Sequence, residues 1–255
     1  MKVSEISLSV IMPVYNEQEN ITFAIDQTMR ELKNFKKAEL IVINDGSNDD
    51  TNKKLIDLSI KYPELIVLKH DKNKGLAKSL KYGFVNVLND YVLFNSADLP
   101  LDPKDISNIL EQQDFFDLLI LERKEYLGAS KWRKFISICN RVILHIFFPL
   151  ALIDIADCNY TFFIKKNLLK KVFPSSISPG FIEAEIILRA KYLSFNVKTV
   201  EAKYNGRKFG RPHFGSFRDI IYSLKDIFSF RIYSLFIILG IKSKNSSTVS
   251  HETKN

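Results

Sequence analysis

LSVIMPVYNE, residues 8–17, and LIVINDGSNDDT, residues 40–51, each run from an unbroken apolar stretch straight into a polar, acidic turn. An apolar run bounded by turn residues predicts a strand covered on both faces, the kind that builds a parallel sheet. In open α/β sheets, ligands bind outside the carboxyl ends of such strands. Two adjacent strand ends carrying Asn16, Glu17, Asn44 and Asp45 therefore predict a polar pocket at the top of the sheet. Carboxylates there suit hydrogen bonding to a base or ribose, or metal ligation, better than direct contact with phosphate.

The neighbouring segments fit that frame. A helix is expected from about Glu19 to Lys33, with Ile21, Ala24, Ile25, Met29 and Leu32 at helical spacing. A strand at 39–43 gives way to Asp49, Asp50 and Thr51, capping residues ahead of a helix at 52–61. Leu65 to Lys69 reads as a third strand, Asn73 to Gly75 as a turn and Leu76 to Asn89 as a helix. Tyr91 to Phe94 is a fourth strand, ending at Asn95, Ser96, Ala97 and Asp98. Alternation of this kind implies a mostly parallel sheet. Beyond residue 115 the pattern changes. Strands are expected at Leu118 to Leu121, Phe162 to Ile164 and Val197 to Tyr204, and helices at 130–153 and Glu183 to Lys191. Phe217 to Gly240 is amphipathic and aromatic-rich, and 242–255 is a polar tail expected to lack order.

Composition bounds the partners. The 255 residues are 46% hydrophobic, ample for a core, and the formal charge of +8 favours an anionic partner. No arginine-rich tract or nucleic-acid signature points to DNA or RNA, which leaves a membrane surface or a phosphorylated substrate. Cys139 and Cys158 lack metal-cluster spacing and are too few for a secreted scaffold, so a reducing cytosol is expected. Residues 1–7 do not follow a signal-peptide pattern. The apolar stretch Ile232 to Ile241 falls short of the roughly 18 to 20 residues that a membrane span needs, so no crossing is expected.

Pro13-Val14-Tyr15-Asn16-Glu17, followed at the right distance by Asn44-Asp45-Gly46-Ser47 after a hydrophobic strand, resembles the nucleotide-binding start of the family 2 glycosyltransferases. The resemblance covers about residues 6–215. It implies the GT-A fold: a Rossmann-like, mostly parallel α/β sheet flanked by helices, here followed by C-terminal amphipathic helices. It divides the chain into a GT-A domain at 1–215, membrane-associating helices at 216–241 and a polar tail at 242–255. Asp45 would take the imide N–H of uracil or the corresponding donors of guanine, with Pro13, Tyr15 and Glu17 lining the same nucleotide pocket. Asn73-Lys74-Gly75 with Ala77 and Gly83 resembles a further family segment, where Gly75 lets the backbone turn closely at a helix start.

In FNSADLPLDP, residues 94–103, the family's Asp-x-Asp survives as Ser96 and Asp98. Asp98 would bind Mg²⁺ or Mn²⁺ together with donor phosphates, and Ser96 would reach the ribose. Pro100 stands where relatives carry a polar residue that assists the metal. Arg123 matches an arginine that follows the next strand in the family. Arg133, Ser137 and Asn140, spaced by four and three, fall near one helical face and resemble the polyprenyl-phosphate branch. Asp154 and Asp157 compete for one acidic position, with Asn159 and Thr161 replacing that motif's glycine and basic residue. Glu185, with Glu183 beside it, matches the acid that serves hydroxyl-acceptor relatives as general base. Tyr204-x-x-Arg207-x-x-Gly210 matches a loop of the polyprenyl-phosphate branch, in which Arg207 would clamp phosphate, while Pro212 and His213 depart from its continuation.

The resemblance therefore implies an inverting transferase that moves a sugar from a UDP- or GDP-linked donor to polyprenyl phosphate. Its catalytic residues would be Asp98, Glu185 and Arg207, and it would lie peripherally on the cytoplasmic face of the membrane. Two alternatives stay open. One is a family 2 enzyme with a sugar hydroxyl acceptor in envelope or capsule synthesis. The other, favoured by Ser96, Pro100 and Asn159, is a non-catalytic GT-A protein that binds a nucleotide or a partner.

Overall fold

The computed structural model describes residues 1–123, 131–206 and 217–238, without the side chains of 131–133, 217 and 238. Arg207, the rest of its loop and the polar tail lie outside the described residues. Seven strands form one sheet: β1 (Ser7–Val14), β2 (Lys37–Asn44), β3 (Leu65–Lys69), β4 (Tyr91–Phe94), β5 (Leu118–Arg123), β6 (Thr161–Lys165) and β7 (Val197–Ala202). Their order is β3-β2-β1-β4-β6-β5-β7. All pairings are parallel except those of β6, which runs antiparallel between β4 and β5. The sheet is therefore mixed but mostly parallel.

The chain proceeds outward from β1 to β2 and β3, then returns to place β4 on the other side of β1. The switch point lies between β1 and β4, where open α/β sheets hold their ligands. Val14 is level with Asn44, and Ile11 with Phe94, so the carboxyl ends of β2, β1 and β4 open side by side.

Alternation along the strands feeds two cores. Ile11, Ile41 and Ile43 face α3 (Leu76–Asn86), α5 (Lys131–Phe147), α6 (Lys166–Lys171), α7 (Ile182–Tyr192) and α8 (Phe217–Ile238). Leu8, Val10, Met12, Leu40 and Val42 face α1 (Ile21–Leu32), α2 (Thr51–Lys61) and α4 (Pro103–Glu111). Burial at about 25 cal/mol per Å² of apolar surface drives both layers. Gly83 sets how closely α3 rides on the sheet, because a Cβ there would sit 2.6 Å from Ile11 Cγ2.

Several elements differ from the sequence reading, most of them for a local reason. The helix expected to reach Asn89 stops at Asn86. Leu88 N donates to Glu39 Oε1 and Asn89 N to Ser9 Oγ, which hold the chain extended against β1 and β2. The helix expected over 130–153 ends at Phe147, two residues before Pro149, as the clash with a proline ring requires. The unforeseen α4 begins with Asp102 accepting from Lys104 N and Pro103 in the first turn, a start signal present in the sequence. Residues 217–238 form one continuous helix, not several. Its inner face is buried, with Phe230 packed against Phe148 and Phe181. Among the described residues no helix is long and apolar enough to cross a membrane.

Candidate active site

The turns after β1 and β2 are sewn to each other. Asn16 takes a left-handed conformation, φ 53°, which Asn tolerates better than most residues. Its N–H donates to Ser47 Oγ, and its side-chain oxygen accepts from Asn48 N at 2.8 Å. Glu17 N donates to Thr51 Oγ1, and Glu17 Oε2 accepts from Asn20. Gly46 is needed at its turn: φ is +70°, and a Cβ would lie 2.6 Å from the Lys72 carbonyl carbon. That approach brings the 71–75 loop over the strand ends. Asp45 fastens it: Oδ1 accepts from Lys74 N and pairs with His70 Nδ1, and Oδ2 accepts from Gly75 N, each at 2.8 Å.

The turn after β4 is equally fixed. Asn95 N donates to Ile11 O, and the Asn95 amide donates to Leu101 O. Ser96 Oγ donates to Asp98 Oδ1, so the serine in place of an acid orients the remaining carboxylate. Leu99 sits at φ 47°, a strained conformation for a branched residue. The Pro100 carbonyl accepts from Asn205 N and lies 2.8 Å from the Tyr160 hydroxyl. Pro100 thus contributes its backbone to the site.

A cavity of about 670 Å³ lies above these turns. Pro13, Tyr15, Glu17, Asp45, Ser96 and Asp98 line one part of it, and Arg123, Asn159, Glu183 and the first turns of α8 line the other. Among the described residues no group of three or more metal-ligating side chains occurs. Asp98, at the end of the β4 turn, is the acid that could hold a cation with the help of donor phosphates. A hard divalent ion held by one or two carboxylates, substrate phosphates and water fits such a donor set. Asp98 Oδ1 accepts from Ser96, so Oδ2 would be the less committed of its two oxygens for a cation.

Arg123 makes a bidentate pair with Asp157, Nε–Oδ2 2.5 Å and Nη2–Oδ1 2.9 Å, and also reaches Ser137 Oγ at 3.3 Å. Its guanidinium lies 5.9 Å from the Tyr160 ring and 5.8 Å from that of Tyr204. The arginine expected to meet phosphate therefore already carries a buried counter-ion. Asp157 is the inward acid of the two candidates, since Asp154 is exposed and bound to Lys191. Ser137 supports Arg123, and Asn140 donates to the Gly180 carbonyl rather than lining the cavity. Arg133 has no described side chain, and Arg207 is outside the described residues.

The acid on α7 needs correcting. Glu185 turns away from the cavity and accepts from Ser175 N, Ser176 N and Arg189. Burial alone would raise its pKa, but the Ser175 amide, Arg189 and Ser176 together hold it below the usual value. Glu183, two residues earlier, is the one that faces the cavity. Burial pushes its pKa up to about 8, with Arg123 opposing the rise and Asp157 adding to it. The spacing in Glu183-Ala-Glu185 could not tell which acid turns inward, because both sit in the first turn of α7. Arg218, Asp219 and Tyr222 of α8 also reach the cavity, with no motif to mark them.

The comparisons with known proteins agree with this architecture. The model of glycosyl transferase family 2 matches residues 9–173. The chain belongs to that family. This glycosyltransferase is 27% identical over 260 residues to a dolichyl-phosphate beta-glucosyltransferase of Dictyostelium discoideum, covering 94% of this chain and 79% of the relative. It is 32% identical over 194 residues to a dolichol-phosphate mannosyltransferase of Pyrococcus furiosus, covering 72% of this chain but 53% of that protein. Among solved structures it resembles glucosyl-3-phosphoglycerate synthase of Mycobacterium tuberculosis in complex with Mn²⁺, UDP and glucosyl-3-phosphoglycerate. The TM-score is 0.63 at 17% identity, over 94% of this chain and 82% of that one. The same synthase with Mg²⁺ and UDP gives 0.61 at 16% identity, over 92% and 79%. At these identities the likeness speaks for the fold.

Proposed function

We propose that this family 2 glycosyltransferase moves a sugar from a UDP- or GDP-linked donor to polyprenyl phosphate, at the cytoplasmic surface of a membrane. The observation that carries the reading is the course of the cavity. It runs from the β1, β2 and β4 strand ends to the first turns of α8. On the outer side of α8, Ile221, Leu224, Phe228, Ile232 and Phe236 recur at helical spacing and are exposed. Phe135, Ile138, Val142 and Ile146 make a matching stripe on α5, which packs against α8. A phosphate headgroup in the cavity with its chain on these stripes, and Lys134, Arg141 and Lys225 near lipid phosphates, fits that arrangement. The names of the Dictyostelium and Pyrococcus relatives support the same acceptor class. In this reading residues 1–215 form the transferase domain and 216–241 the membrane-facing part.

Asp45, with Pro13, Tyr15 and Glu17, would hold the nucleotide, and Asp98 with Ser96 would serve the ribose and a divalent cation. That cation would neutralise charge on the departing diphosphate. The anionic acceptor needs no base, so positioning and charge compensation dominate. Arg133 and Arg207 would supply the cationic contacts that Arg123, paired with Asp157, supplies only in part. A neutral Glu183 spares the acceptor a repelling charge.

Incubating the purified chain with labelled nucleotide sugar, Mg²⁺ and a short-chain polyprenyl phosphate tests this. Label should appear in an acid-labile lipid, and none should appear with the corresponding prenol. Label transferred to a saccharide hydroxyl, and not to the lipid, would replace this reading with the hydroxyl-acceptor one. Glu183 favours that second reading in one respect, since a carboxyl with a pKa near 8 has the basicity of a general base.

A further inference from the structure

The polar end of the cavity holds a hydrogen-bonding count that discriminates between nucleobases. A carboxylate offers about four acceptor directions on its two oxygens. Asp45 Oδ1 already accepts from both Lys74 N and His70 Nδ1, and Oδ2 accepts from Gly75 N. One direction remains, on Oδ2. His70 is buried and stacked on Tyr82, ring centroids 5.2 Å apart at 21°, so its bond to Asp45 is rigidly placed. One turn along α3, Ser79 N donates to the Gly75 carbonyl. Ser79 belongs to the wall of the same cavity, is 0% exposed, and its hydroxyl has no hydrogen-bond partner among the described residues. Burying such a group unsatisfied is unfavourable, so a ligand that satisfies it gains.

We propose that Asp45, set by His70, and the hydroxyl of Ser79 form a site that accepts uracil and rejects guanine, making Ser79 a specificity residue and His70 a positioning residue. This rests on the nucleotide-sugar reading above. Uracil presents one imide N–H between two carbonyl oxygens. That pattern matches one remaining acceptor on Asp45 flanked by one hydroxyl donor. Guanine presents two adjacent donors, N1–H and the exocyclic amine, which call for both carboxylate oxygens side by side. Oδ1 is bound twice already, so the amine would be left unpaired on binding. Adenine and cytosine lack the imide N–H altogether.

Calorimetric titration of the full chain with UDP and with GDP, at fixed Mg²⁺, tests the proposal. UDP should bind at least about tenfold more tightly than GDP. Ser79→Ala should weaken UDP about five- to tenfold, the loss of one hydrogen bond, while leaving GDP within about twofold. Because that variant removes a hydroxyl with no partner among the described residues, it should fold normally. His70→Leu should weaken UDP, and His70→Asn, whose amide can donate where Nδ1 does, should recover most of the affinity. A purely structural role for His70 would instead move the melting temperature of both variants together without separating their UDP affinities. GDP binding as tight as UDP, or Ser79→Ala leaving UDP unchanged, would overturn the base selection while leaving the donor reading intact. Binding of neither nucleotide would overturn both.

Discussion

At the β1–β2 end of the cavity each turn is tied to the next by backbone amides. Asn16 is linked to Ser47 and Asn48, Glu17 to Thr51, and Asp45 to Lys74 and Gly75. At the α7–α8 end the side chains meet over long stretches of sequence: Arg123 with Asp157, Glu183 beside that pair, and Arg218 and Tyr222 from the last helix. The first end spends its carboxylate on holding a loop. The second keeps a buried carboxyl protonated next to an ion pair. In the proposed reading, the first would be a fixed mould for a nucleoside and the second an electrostatically adjustable end for an acceptor that arrives charged.

Perturbing the two ends should give effects of different kinds. The largest falls where they join. Asp98→Asn should reduce transfer at least about a hundredfold, as the loss of charge compensation at a diphosphate does, with a melting temperature close to that of the parent. Near-parental turnover would remove Asp98 from the chemistry. Asp157→Ala removes the buried counter-ion of Arg123, and should cost about 3–5 kcal/mol in urea unfolding. Gly46→Ala forces a Cβ onto the Lys72 backbone at positive φ. It should cost about 1–3 kcal/mol and weaken nucleotide binding, because the 71–75 loop must move. The smallest change in stability is expected from Phe228→Ser on the exposed stripe, within about 0.5 kcal/mol. That variant should nonetheless bind anionic vesicles measurably less than the parent.

The two ends also differed in how far the sequence disclosed them. The β1–β2 end was legible because its strands are continuous apolar runs and its turns use Asn16 and Gly46, residues that tolerate positive φ. Pro13 to Glu17 and Asn44 to Ser47 fall where expected, and six nucleotide- or metal-side candidates meet in one cavity. The other end was only partly legible. No local pattern tells that β6 inserts antiparallel, or that Asp157 rather than Asp154 turns inward toward Arg123. Glu183 and Glu185 differ in fate because of what packs above α7: the Ser175–Ser176 amides capture one, and the cavity receives the other. His70 and Ser79 carry no motif. They matter only through the bonds that Asp45 makes and the bond that the Ser79 hydroxyl lacks among the described residues.

Glu183 links the comparison to pH. Its folded pKa of about 8 lies above the ordinary 4.5, so the native chain holds a proton that the unfolded chain has released. That contribution is complete below about pH 4.5 and is lost as pH rises through about 8, a change on the order of a few kcal/mol. Glu183→Gln should flatten this slope in unfolding titrations.

The pH–rate profile of transfer to polyprenyl phosphate, measured for the parent and for Glu183→Gln, tests the central claim most directly. A phosphate acceptor predicts a rate that falls as Glu183 ionises near pH 8, and a Gln variant that stays active without that fall. A rate that instead rises toward pH 8, with an inactive Gln variant, would make Glu183 a general base and contradict the account in which the anionic acceptor needs none.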